Sequence, residues 1–329
     1  MRMPKYLSPT SLDTWNRDRT EFFFRYLADD RPERLPQTQP MAVGSAFDAY
    51  VKAYLVERLF GGTSVETPDG EVDYSFEKLF ESQVEEQNRT WARDAGREAM
   101  DVYRASGALA DLMLELDLAS STPRFEFQVQ GIVDGVPFLG RPDLYFEIKD
   151  AGRDGSVTHV IIDWKVNGWC AKRAPSPTKG YKMCRTFKKD AWQRKTHKDA
   201  VIMRSGGMEI DVAHKMEELN LGWARQETIY AWVLGVTPGE EFVCGIDQLV
   251  GRNRVSSLRN RVSSAFQMDL LHNAADIWAR IQAGFIFDEV EGQPSNTERI
   301  QMLSAYAEGY RRDSSPHADW LEGVIRGRR

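Results

Sequence analysis

Apolar residues recur every three to four positions through the first third of the chain. Over 5–28, Leu12, Trp15, Phe22, Phe23 and Tyr26 form one stripe and predict a helix, with Ser11 as its N-cap. Over 42–59, Phe47, Tyr50, Val51 and Leu55 make a second helical face, and Gly44 is expected to let another backbone approach closely. Residues 75–118 repeat the helical period and predict one or two helices, broken near Ser106-Gly107. Residues 29–40, Gly61-Gly62 and Pro68-Asp69-Gly70 read as loops, and Pro123 closes the helical region.

Beyond Pro123 the period shortens to two. Phe125-Glu126-Phe127-Gln128-Val129-Gln130 alternates as a half-buried strand does, and Val133-Asp134-Gly135-Val136 predicts a hairpin turn. Residues 137–147 and 157–166 read as the next two strands. Helix is expected over 211–235, strand over 241–250, and helix over 255–285 with Leu270, Ile277, Trp278 and Ile281 as core; the remainder is expected to be helical, ending in Arg326-Gly327-Arg328-Arg329. The result is an α/β fold, a central mixed β-sheet flanked by helices, expected as one domain over 1–329. A mainly helical part covers 1–120, an α/β core 121–250 with an insertion at about 168–220, and a helical extension 251–329. Neither an internal repeat nor a low-complexity tract is visible.

Composition changes this picture little and charge changes it more. The 329 residues are 42% hydrophobic and 28% charged, an ordinary globular balance. No apolar run approaches the roughly 20 residues that span a bilayer, so no membrane partner is expected. Three cysteines, Cys170, Cys184 and Cys244, are too few and scattered for a disulfide framework. An intracellular, cytoplasmic setting is the expectation, the host cytoplasm if the chain is phage-encoded. Net charge is −6, which disfavours a polyanionic partner until its distribution is considered. Residues 64–117 hold 14 Asp and Glu against 5 Lys and Arg, and residues 171–198 hold 10 Lys and Arg against Asp190 alone. Local field steers a polyanion, whatever the sum. Within the basic run Tyr181, Phe187 and Trp192 alternate with Lys172, Arg173, Lys179, Lys182, Arg185, Lys188, Lys189, Arg194 and Lys195. Interleaving of this kind suits a surface that follows a phosphate backbone and stacks on bases. It also suits a solvated loop and helix with inward aromatics.

The chemistry concentrates in 140–165. One β-type run carries Asp143, with Arg141 on the same face and able to reach a phosphate. The next run reads Val160-Ile161-Ile162-Asp163-Trp164-Lys165. Alternation places Asp163 and Lys165 on one face and Trp164 on the other. Charges in an apolar strand are costly unless paired or metal-bound. Two carboxylates at about 4 Å repel by roughly 1 kcal/mol in water and by more at lower dielectric. A divalent cation between Asp143 and Asp163, with Lys165 beside it, removes that penalty. Gln226 and Tyr230, four apart on a helix, share a face. His159, at the start of its strand, reads as structural rather than as a ligand.

Pro142-Asp143 followed by Asp163-Trp164-Lys165 resembles the PD-(D/E)xK nuclease superfamily. The RecB-type branch, which includes CRISPR-adaptation-like and phage-type exonucleases, is resembled in three further places. Ser8-Pro9-Thr10-Ser11-Leu12-Asp13-Thr14-Trp15 with Phe22-Phe23-Phe24-Arg25-Tyr26 looks like its opening helix. Gly44-Ser45-Ala46-Phe47-Asp48 looks like its first motif, and Gln226-Glu227-Thr228-Ile229-Tyr230 like its glutamine–tyrosine motif.

The resemblance implies a restriction-endonuclease-like core and metal-dependent hydrolysis of DNA phosphodiesters, as exonuclease action in repair, recombination or phage DNA processing. It implies one or two Mg²⁺ or Mn²⁺ ions held by Asp143, Asp163 and the Trp164 carbonyl, Lys165 as the catalytic ammonium, and Gln226 and Tyr230 positioning it. Asp48 stands where the branch often has histidine; it is either a metal ligand, direct or through water, or a solvated helix charge. Where the branch often carries a cysteine–proline pair for an iron–sulfur cluster, this chain has Asp18 and Arg19, so no cluster is expected. No helicase motif is present, so unwinding would fall to a helicase, annealing or recombination partner. The alternative is a non-catalytic DNA-end-binding or assembly subunit that keeps the fold.

Overall fold

The computed structural model describes residues 1–29, 36–67, 70–149, 156–173, 176–178, 180, 182–188 and 191–312. Its first helix, α1 (Pro9–Arg17), is capped by Ser8, not Ser11. Ser11 is the third helical residue and returns a bond to the Ser8 amide, so the two serines satisfy each other's backbone donors. Asp18 ends α1 and caps α2 (Arg19–Phe22), which runs into a π-helical turn over Phe23–Leu27. Next come α3 (Gln39–Phe60), a small hairpin of β1 (Ser64–Thr67) and β2 (Gly70–Asp73), and the helices α4 (Phe76–Gln83), α5 (Arg89–Ser106) and α6 (Ala108–Leu116). Gly107 separates the last two with φ 87°, a conformation that glycine adopts without strain. Gly44 does not make a close approach: a Cβ there would meet nothing within 4 Å. The tight helix crossing falls at Gly96 of α5, whose added Cβ would lie 2.6 Å from the Ala46 Cβ.

The sheet region contains β3 (Arg124–Phe125), β4 (Val129–Val133), β5 (Val136–Gly140), β6 (Leu144–Lys149), β7 (Val157–Asn167), β8 (Lys182–Lys188), β9 (Ala191–Thr196), β10 (Ile202–Ser205) and β11 (Met208–Asp211). After α7 (Met216–Leu219) and α8 (Leu221–Val233) follow β12 (Val243–Val250), β13 (Arg254–Arg261), α9 (Ser264–Gln282) and α10 (Asn296–Arg312). Seven strands form the central sheet in the order β3-β6-β7-β12-β13-β8-β9. β7 and β12 pair in parallel and the other neighbours antiparallel, so the sheet is mixed.

Four further sequence expectations are corrected. The strand expected over 137–147 is two strands, because Pro142 has no amide donor to continue a ladder; Asp143 stands in the gap, immediately before β6. The run 125–130 breaks at Glu126, whose φ of 35° turns the chain between β3 and β4. The insertion is β-structure: β8 and β9 extend the sheet edge, β10 and β11 form a hairpin, and helix begins at Met216 rather than 211. Residues 254–261 are strand, not helix. Several of their polar side chains have partners, with Ser257 bonded by Cys184, Asn260 donating to the His214 carbonyl and Arg259 paired with Asp247, and pairing with β12 overrides the helix-like pattern.

Both sheet faces are covered. Phe47, Tyr103 and Leu112 from α3, α5 and α6 pack on the side of Phe146, Ile162 and Trp164. Ala224, Tyr230 and Ala231 of α8 pack on the side of Tyr145, Ile161 and Ile246. Each fully buried large side chain contributes about 2 kcal/mol. The aromatic stripe of the first helices packs against Phe138, Trp232 and α9, which fixes α8 from behind.

Candidate active site

β7 divides its side chains as alternation demands. Trp164 points toward α5, where its indole N–H donates to the Tyr103 hydroxyl at 3.4 Å. Asp163 and Lys165 point toward α8. There the Gln226 amide bridges them: Nε2 donates to Asp163 Oδ1 at 2.6 Å, and Oε1 accepts from Lys165 Nζ at 3.2 Å. Lys165 Nζ also lies 2.5 Å from Asp163 Oδ2. That contact is an ion pair without hydrogen-bond geometry, since Oδ2 has no bonded donor. Tyr230 is one turn beyond Gln226, and its ring explains Gly140: a Cβ there would come within 2.8 Å of it.

Asp143 closes the group from the position just before the neighbouring strand β6. Its Oδ2 accepts the Trp164 backbone N–H at 3.1 Å, and its charge acts on the Asp163 carboxyl. On its other side, Asp143 Oδ1 lies 3.4 Å from Lys52 Nζ. Lys52 is a buried α3 residue one turn after Asp48, and its ammonium also contacts Asp48 Oδ2 at 2.6 Å and Glu126 Oε2 at 2.9 Å. Gln83 Nε2 donates to the same two oxygens, at 3.0 and 2.6 Å. The turn at Glu126 is held to the site by its backbone N–H, which donates to the Asp143 carbonyl at 3.1 Å.

The electrostatics follow from crowding away from water. Burial, followed by the Asp143 charge and against the pull of Lys165, pushes the Asp163 carboxyl up to about 7. Asp48 is also raised to about 7, by burial and then by Asp143 and Glu126, against Lys52. Burial works to lower the Lys165 and Lys52 ammoniums, but their carboxylate neighbours prevail and raise both. Glu227, fully buried beside Gln226, is held well above the usual carboxylate range by burial and then by Asp163.

Asp143, Asp163 and Asp48 offer hard oxygen donors; the buried Asp48 Oδ1 lacks a hydrogen-bond donor, and Asp163 Oδ2 has only its ion pair with Lys165. Donors of this kind suit Mg²⁺ or Mn²⁺. Among the described residues no group of three or more His, Cys, Asp or Glu side chains stands ready around a metal position. The three carboxylates that do converge, Asp48, Glu126 and Asp143, converge on Lys52.

Lys52, Gln83, Glu126 and Glu227 were not visible as site residues from sequence. Lys52 had one signal, its i+4 spacing from Asp48. Glu126 occupied a polar place in an alternating run, and nothing local distinguishes Gln83, which arrives by the packing of α4 on α3.

The basic run is less free than its composition suggests. Lys182 is ion-paired with Glu209, and Arg194 with Asp111 at 3.4 Å and Glu209 at 3.9 Å. Asp111 belongs to the acidic stretch, so the two oppositely charged segments partly neutralise each other. The Arg185 guanidinium packs over Gly107. Lys172, Arg173 and Lys195 are exposed, and Arg141 is bonded to Gln128 at 3.2 Å. Lys179 and Lys189 lie outside the described residues, as do Tyr181 and the terminal Arg326-Gly327-Arg328-Arg329; of Lys188 only the place in β8 is described.

No family model and no curated protein matches the chain. Among solved structures it is similar to a crystal structure from Eubacterium rectale provisionally named an exonuclease. Identity is 13%, the alignment covers 88% of this chain and 90% of that one, and the TM-score is 0.42. At that likeness nothing about activity transfers.

Proposed function

We propose that the chain is a Mg²⁺- or Mn²⁺-dependent deoxyribonuclease of the PD-(D/E)xK type, RecB-like, removing nucleotides from DNA ends in repair, recombination or phage DNA processing. The observation that carries this reading is the joining of Asp163, Lys165 and Gln226 by direct contacts in the second half of β7, with Asp143 bonded to the backbone N–H of Trp164 between them. Asp143 and Asp163, with the Trp164 carbonyl, would hold the cation, and Asp48, whose Oδ2 is paired with Lys52, would reach it through water by its Oδ1. When bound, it would supply a lowered water pKa and charge neutralisation at the phosphate.

The chain's own residues do the rest. Gln226 fixes Lys165 through its carbonyl oxygen and Asp163 through its amide, so one side chain sets the distance between ammonium and carboxylate. Lys165 orients the attacking water and meets the negative charge that grows on the phosphoryl oxygens. Tyr230, behind Gln226, limits how that amide can turn. Arg141 and the exposed Lys172, Arg173 and Lys195 supply cations for the DNA backbone.

Digestion of end-labelled single-stranded, duplex and circular DNA with Mg²⁺, Mn²⁺ or EDTA tests the reading. Linear DNA is expected to shorten from its ends with either metal and to stay intact in EDTA, while circles persist. Folded protein that binds ends but cleaves nothing in any arm would overturn it in favour of the non-catalytic end-binding subunit.

A further inference from the structure

We infer that this site takes a single divalent cation, because the Lys52 ammonium stands where a second would bind. The inference rests on the metal-dependent reading above and goes beyond it to the number of ions and the residue that sets it.

Lys52 is the unusual group. Its side chain is 1% exposed, yet it comes from the middle of a helix with no access to water for its charge. A buried ammonium costs several kcal/mol if left unpaired. One carboxylate would offset most of that, but three surround this one, from three separate elements: Asp48 on α3, Glu126 in the turn after β3, and Asp143 at the mouth of β6. Oxygens gathered from distant parts of a chain around one point make a cation cage, and here the cation is covalently attached. Gln83 donates to the two carboxylate oxygens that lie nearest Nζ, so the cage is braced without an added ion.

Asp143 is shared. Its Oδ1 faces Lys52, while its Oδ2 accepts the backbone N–H of Trp164, the residue next to Asp163. In a two-metal site, ions about 3.5–4 Å apart are commonly bridged by one carboxylate. Asp143 has that bridging place, with the Lys52 ammonium on one side and Asp163, whose Oδ2 is ion-paired with Lys165, on the other.

Charge balance gives the same answer. With Glu227 kept protonated by its burial and the other four carboxylates ionised, Asp48, Glu126, Asp143 and Asp163 face Lys52 and Lys165. Two negative charges remain, which one divalent ion neutralises. A second ion would leave the buried pocket as positive as it had been negative.

The test counts ions rather than turnover. Metal-free full-length protein is titrated with Mn²⁺ by calorimetry, with free Mn²⁺ followed by electron paramagnetic resonance. The expected stoichiometry is one ion per chain, rising to two in Lys52→Met, whose cage has lost its resident cation. Two ions on the wild-type chain would overturn the inference while leaving metal dependence standing. So would a folded Lys52→Met chain that still takes one ion. No ion on the wild-type chain would remove both readings together. Glu126→Gln keeps Lys52 in place and is expected to bind one ion. A second ion in that variant would overturn the assignment of the position to Lys52, whether or not Lys52→Met folds.

Discussion

Asp163 and Trp164 are adjacent in sequence, and each belongs to a buried polar cluster, but the clusters follow opposite rules. Beneath Trp164, Arg259 lies between Asp247 at 2.9 Å and Glu115 at 2.7 Å, and the Tyr103 hydroxyl donates to Asp247 while accepting from the Trp164 indole. None of these side-chain atoms lacks a partner. Around Asp163, carboxylates outnumber ammoniums, and Asp48 Oδ1 and both Glu227 oxygens have no hydrogen-bond donor. A cluster that only supports the fold gains by closing every valence, because a buried unpaired polar atom costs about 1–3 kcal/mol. The open cluster around Asp163 instead keeps carboxyl groups whose protonation burial and like charge have shifted, as the proposed chemistry would require.

The comparison breaks most decisively at one residue from each side. Lys165→Ala is expected to lower the cleavage rate about 10³-fold, near 4 kcal/mol of transition-state stabilisation, as losing one preorganised donor does. Its thermal midpoint should stay close to wild type, since Gln226 still holds Asp163. Cleavage at the wild-type rate, in protein purified free of host nucleases, would sink the proposed chemistry. Arg259→Ala should do the reverse. Removing it leaves Asp247 buried without its cation, a loss of about 3 kcal/mol or more. Denaturant titration should show that loss, while the activity of the molecules still folded changes little. If instead stability held and cleavage fell, the paired cluster would not be merely structural.

The same contrast explains what the sequence could reveal. Asp163 and Lys165 were legible because a strand's period of two is rigid: a charge pair at i and i+2 in an apolar run must share a face. Gln226 and Tyr230 were legible as a helical pair, although the bridge between Lys165 and Asp163 was not. The paired cluster was hidden, because Tyr103, Glu115, Asp247 and Arg259 meet only through the packing of α5 and α6 on the sheet. Strand β13 was missed for a related reason. A polar run such as Arg254-Val255-Ser256-Ser257-Leu258-Arg259-Asn260-Arg261 offers no alternation, and only its partners make burial affordable. Lys52 and Glu126 depend on a helix and a backbone turn arriving at one point, which no local pattern records.

The basic edge of the sheet sharpens the contrast at smaller magnitude. Lys182 and Arg194 spend their charge on Glu209 and Asp111, near the paired cluster, while Lys172, Arg173 and Lys195 face water. Replacing the exposed three by alanine should weaken DNA binding and flatten its salt dependence by about one unit of log–log slope per residue. Replacing Lys182 and Arg194 should flatten it less. Equal slopes for the two sets would mean that DNA strips those ion pairs apart, and unchanged slopes for both would place the DNA path elsewhere.

Glu227 gives the finest test, because it sits among the open cluster's charges yet contacts none of the proposed reacting groups by a hydrogen bond. Burial and then Asp163 hold its carboxyl well above its usual value of 4.5, so the folded chain keeps a proton there that the unfolded chain loses. Where the folded state binds more protons, stability falls as pH rises. Part of the wild-type decline from pH 4.5 toward neutrality therefore belongs to Glu227. Glutamine has nothing to lose, so Glu227→Gln in EDTA should match wild type near pH 4 and become progressively the more stable chain above it. Asp48 and Asp163 titrate in both chains and cancel in the difference. DNA cleavage and Mn²⁺ stoichiometry should be unaltered, because a neutral amide replaces a neutral acid of nearly the same shape. Loss of either would move Glu227 from a tolerated cost of burial into the working site, and the open cluster would then extend one residue further along α8 than its contacts indicate.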